Sequence, residues 1–151
     1  MKKIIVFPAL SLLLSCSPSM EEKRAQLRAD SVQASAAANA ADTTGFVGQW
    51  KRTYGYYAYN MIETISITNT GAAPHPYACT WNVRDELGTI KEKNYQWRAK
   101  YEHYWLIGTG VIDGQSRTLN MRRSGEDDNV LYLFYSYPDG SQSEHTAFRR
   151  R

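Results

Sequence analysis

Strict two-residue alternation constrains this chain most. Over residues 77–84, Tyr77, Cys79, Trp81 and Val83 alternate with Ala78, Thr80, Asn82 and Arg84. Over 95–101, Tyr95, Trp97, Ala99 and Tyr101 alternate with Gln96, Arg98 and Lys100. Successive side chains of a strand point to opposite faces, so each run reads as a strand with one buried and one solvated face. A helix would scatter these rings around its circumference.

The same grammar covers everything from Phe46 onward. Residues 46–54 place Phe46, Gly48 and Trp50 on one face, and residues 61–68 place Ile65 and Ile67 together before the Asn69-Thr70-Gly71 turn. Asp85-Glu86-Leu87-Gly88 is a turn, and residues 89–93 read as a shorter strand. Residues 104–112 run into Asp113-Gly114, a strong hairpin signal, and residues 115–123 return with Leu119 and Met121 on one face. Residues 130–137 are a strand, and Pro138-Asp139-Gly140 leads to a last one at 143–149. Turn signals every 8–12 residues predict an all-β fold: an antiparallel up-and-down barrel of about eight strands, whose closure removes its edges.

The first 45 residues follow other rules. Lys2 and Lys3 precede an apolar run over 4–14, too short to span a bilayer but shaped like an export signal. It ends in Leu13-Leu14-Ser15-Cys16, which resembles the bacterial lipobox. That resemblance implies cleavage before Cys16 and acylation of its thiol, with several chains anchoring the protein in the envelope, expected at the outer membrane on its periplasmic face or the cell surface. Ser17 is not the Asp that retains enteric lipoproteins in the inner membrane. Glu21-Glu22 either resembles the acidic surface-export tag of some Bacteroidota lipoproteins or is a solvated pair in a linker.

Residues 17–44 are rich in Ala, Ser, Asn and Asp. Such a stretch reads as a flexible tether of roughly 30 Å, although alanine also favours a frayed helix over 20–41. The domain plan is therefore a signal at 1–15, a lipidated tether at 16–45 and a barrel at 46–151.

Gly48-Gln49-Trp50 opens the first strand. It resembles the Gly-x-Trp that opens the barrel in lipocalins and in small lipocalin-like domains of bacterial lipoproteins. The resemblance implies that Gly48 and Trp50 close one barrel end, with a basic residue packed across the indole, here Arg149 or Arg150, by a cation–π contact. The middle and late lipocalin motifs do not stand out, and the domain is short for a large ligand cup.

Chemistry-bearing constellations are sparse. His75, His103 and His145 fall in three different segments, and His75 with Cys79 supplies two potential metal ligands where a site needs three or four. The sequence contains no Gly-rich phosphate loop and no nucleophile–base arrangement, so neither a cofactor, a metal nor an enzyme activity is expected. Removing Lys2 and Lys3 with the signal leaves 16 basic against 15 acidic residues. That balance gives no reason to expect nucleic acid as a partner. With Cys16 acylated, Cys79 is a lone thiol, and burial is its simplest protection.

The aromatic residues carry the functional expectation. Trp50, Tyr77, Trp81, Trp97 and Tyr101 lie on the predicted inner face. They either fill the barrel or line a narrow pocket for a small apolar or amphipathic ligand. Residues 54–59 hold Tyr54, Tyr56, Tyr57 and Tyr59 in a stretch read as a loop. Tyr56 and Tyr57 there either cover the barrel end, gate a ligand or grip a protein partner, as in lysozyme-inhibitor-like β-barrel lipoproteins. Residues 104–112 and 130–137 are apolar on both faces, so something must cover the outer wall, either the tether or a partner.

Overall fold

In a computed structural model, residues 19–40 and 42–151 are described. Cys16 and the export signal lie outside the described residues. Among the described residues, eight strands form one closed antiparallel barrel in sequence order. They are β1 (Gly48–Tyr56), β2 (Tyr59–Asn69), β3 (Tyr77–Asp85), β4 (Lys93–Glu102), β5 (Trp105–Ile112), β6 (Gln115–Arg123), β7 (Val130–Ser136) and β8 (Thr146–Arg150). Each pairs with the next, and β8 closes on β1 through Trp50↔Arg150 and Lys51↔Arg149.

Helix α1 (Met20–Ala40) precedes the barrel, within the stretch where alanine favours a helix. Its start is fixed locally. Ser19 Oγ accepts from the Glu22 amide at 3.1 Å, and Glu22 Oε2 accepts from the Ser19 amide at 2.6 Å. That reciprocal pair is a capping box, and it gives Glu22 a structural role at the helix start. Gln26 donates to Asp30 one turn on, at 2.8 Å. Near its end, Asn39 Oδ1 accepts from the Asn69 amide at 2.6 Å, tying α1 to the end of β2.

One half of the barrel is packed solid. Trp50 is fully buried, with its indole N–H donating to the Phe46 carbonyl at 2.9 Å. Phe148, Leu106, Leu119, Met121, Leu131 and Leu133 fill the space around it. Trp97 enters this core because β5 offers glycines opposite it. A Cβ on Gly108 would lie 2.7 Å from Trp97 Cδ1 and 2.3 Å from the Arg98 carbonyl oxygen, and one on Gly110 would lie 3.1 Å from Trp97 Cβ. Cys79 sits in the same core, where burial pushes its thiol up to about 12. His75, by contrast, is exposed in the β2–β3 loop.

Three local expectations need correction. Residues 89–93 make no short strand. The buried Asp85 carboxylate takes the amides of Thr89 at 2.8 Å and Ile90 at 3.0 Å, folding the segment back as a loop. Residues 54–59 are not a loop either: Tyr54↔Met61 and Tyr56↔Tyr59 extend the ladder, leaving only Tyr57 and Ala58 in the turn. The residue crossing Trp50 is Arg150, not Arg149. Arg150 Cζ lies 4.6 Å from the indole centroid and its guanidinium donates to the Gly45 carbonyl. Arg149 points outward to Asp127 at 3.3 Å. Strand parity decides this, since Phe148 and Arg150 share the inner face of β8.

On the outer wall, part of the apolar surface is covered from within the domain. Phe134 is buried although it faces outward. His145, from the chain between β7 and β8, stacks on it at 4.5 Å, and Trp105 meets it edge-on at 5.5 Å. Arg122 lies over Trp105. The β7–β8 connection thus covers Phe134, while Val111 on the same wall stays 60% exposed.

Candidate functional site

The solid half of the barrel ends near the level of Trp97. Towards the end that carries the β1–β2, β3–β4 and β5–β6 turns, the interior opens into a cup of about 310 Å³. On β2 the inward series runs Met61, Glu63, Ile65, Ile67, with the isoleucines in the core and the first two in the cup.

Rings make up most of the wall. Tyr54 and Tyr56 come from β1, Trp81 from β3, Tyr95 from β4 and Tyr135 from β7. Trp81 and Tyr95 are cross-strand neighbours with centroids 5.2 Å apart. Val83, Ile90 and Ile112 complete the apolar lining.

Glu63 is the buried charge of the cup, only 4% exposed. Its Oε2 accepts from the Trp81 indole N–H at 3.3 Å, and its Oε1 pairs with Arg52 Nη2 at 3.4 Å. Arg52 in turn lies over the Tyr54 ring at 4.1 Å. Burial raises the Tyr54 phenol above its ordinary value, and the adjacent Glu63 adds to the rise. An unpaired carboxylate at this depth would be costly; the guanidinium and indole offset that cost.

A second polar cluster sits on the rim. Asp113, in the left-handed conformation of the Asp-Gly turn, accepts from Lys93 Nζ at 2.7 Å and from Tyr95 Oη at 2.8 Å. The Lys93 hydrogen bond, then that of Tyr95, holds the Asp113 carboxyl below its usual range. Lys91 completes the rim.

The aromatic residues expected on the inner face or in the tyrosine-rich loop divide four ways. Trp81 and Tyr56 line the cup. Trp50, Tyr77 and Trp97 belong to the packed core, with Tyr77 Oη donating to Asp42 at 2.9 Å. Tyr101 follows the inward parity of β4 but lies at the opposite barrel end, 42% exposed, edge-on to Phe46. Tyr57 stands outside the cup at the hairpin tip, 91% exposed with φ of 53°. Glu63, Tyr54, Tyr95 and Tyr135 were not anticipated as lining residues. The legible signal for Glu63 was its place as a charge in the inward series of β2.

A larger groove of about 730 Å³ lies at the other end, between Tyr101, Tyr104, Arg122 and the 124–128 turn. Phe46, from the packed core, forms part of its lining. Among the described residues no group of three His, Cys, Asp or Glu side chains converges to hold a metal ion. The chain matches no protein-family model, no curated protein and no solved structure.

Proposed function

We propose that this protein is an envelope lipoprotein, anchored through acylated Cys16, whose barrel holds one small amphipathic ligand in the Trp81 cup. The observation that carries this reading is the cup itself. Its volume lies at the small end of the range typical of ligand sites, and its lining is aromatic with a few fixed polar groups. Gly48-Gln49-Trp50 with Arg150 across the indole supports the lipocalin-like resemblance, and the lipobox supports the anchor.

Titrating the full chain carrying Cys16→Ser with short amphiphiles, while following tryptophan emission, tests the binding reading. Saturable change that disappears in Trp81→Phe is expected. Unchanged emission across neutral, cationic and anionic heads would overturn it. Acylation is read separately, as a mass increase on Cys16 that Cys16→Ser abolishes.

Tyr57 favours a second reading. A large ring held fully exposed in a left-handed conformation gives a rigid contact for a protein partner. Retention of every co-purifying protein by Tyr57→Ser would remove that reading.

A further inference from the structure

We infer that the cup selects ligands whose buried end is a hydrogen-bond donor, an alcohol or an amine, and rejects those that end in a carboxylate. The inference rests on the binding reading above and adds the chemistry of the head group.

The polar group at depth decides the matter. An ionised carboxylate accepts hydrogen bonds in about four directions and donates none. Arg52 and Trp81 occupy one direction on each oxygen of Glu63, both at long distances of 3.4 and 3.3 Å. Tyr54 sits against the same group. Glu63 also lines the cup, so its remaining acceptor capacity serves whatever enters. A hydroxyl or an amine satisfies it. A second carboxylate sets acceptor against acceptor and must compete with Glu63 for Arg52, the cation paired at that depth, in a setting where water screens little.

The rim cations do not reverse this. Lys93 is engaged by Asp113 at 2.7 Å. Lys91 is exposed, where solvent screens its charge. The rings around Glu63 are compatible with both donor classes, since an ammonium also gains from their π-faces.

The test uses one tail and four heads: octanol, octylamine, octanoate and methyl octyl ether. Each is titrated by tryptophan emission against the full chain carrying Cys16→Ser, and against the same chain with Glu63→Gln. Octanol and octylamine are expected to bind about tenfold or more tighter than octanoate and the ether. Glu63→Gln, which can donate as well as accept, is expected to narrow the gap to octanoate. Octanoate binding as tightly as octanol in the parent chain would overturn the inference while leaving the cup as a ligand site. No binding by any of the four would overturn both. The parent series decides even if the variant folds poorly.

Discussion

Arg150 lies across the buried face of Trp50, 4.6 Å from its centroid, and joins the last strand of the barrel to the first. The contact sits at the barrel end opposite the cup. Its partner in sequence, Arg149, contributes only an exposed pair with Asp127. Arg150→Ala is expected to destabilise the fold by about 0.5–1 kcal/mol, the range for a cation–π contact whose cation is exposed to solvent. Arg149→Ala is expected to cost no more than about 0.5 kcal/mol. Urea midpoints for the two variants give the comparison directly.

The glycines of β5 set how deep Trp97 can sit. At Gly108 a methyl group meets backbone, the Arg98 carbonyl at 2.3 Å, which cannot swing aside. At Gly110 the nearest atoms are side-chain atoms at 3.0 and 3.1 Å. Gly108→Ala is therefore expected to lose about 3 kcal/mol and Gly110→Ala about 1 kcal/mol, within the usual range for overpacking. Equal losses in denaturant titration would contradict this account of how the core is seated.

Asp85 holds the loop that forms one side of the cup. Burial alone raises its carboxyl, but the amides of Ile90 and Thr89 lower it further, leaving it below the ordinary value. A carboxylate depressed in the folded state contributes stability that is present above its unfolded value, near 3.9, and lost as pH falls through the folded value. Acid unfolding below about pH 4 should thus be shallower in Asp85→Asn than in the parent. Protection of the 89 and 90 amides against hydrogen exchange should fall in Asp85→Ala at neutral pH.

The Cys79 thiol is buried and held up to about 12 by that burial. Thiolate is the reactive form, so Cys79 should resist a thiol reagent at pH 8 in the native protein and react at once in denaturant. Fast labelling of the native state would show that the core opens readily.

Strand periodicity and the Asp113-Gly114 turn were legible because both are local. A two-residue period assigns faces without reference to distant residues, which is why Trp50, Trp81 and Trp97 all prove to face inward. Position along the barrel axis is not local. Trp81 reaches the cup and Trp97 the core because their strands are staggered and because Gly108 and Gly110 yield space, facts spread over three strands. Parity also misplaced Tyr101, since an inward side chain at the last rung of a strand emerges at the barrel end. The loop reading of 54–59 failed because tyrosines prefer the extended ladder. The capping box Ser19-Met20-Glu21-Glu22 was readable and fixes the start of α1, but its acidic pair also fits an export tag or a solvated linker, and nothing local separates the three.

The most direct measurement of the central claim is a two-dimensional ¹⁵N–¹H spectrum of the four indole N–H groups during titration with octanol. Trp81 donates to Glu63 at the cup, so its resonance should move with saturation, while those of Trp50 and Trp97 in the packed core stay in place. Shifts at Trp50 or Trp97 with Trp81 unmoved would contradict the assignment of the ligand site to the Glu63 end of the barrel.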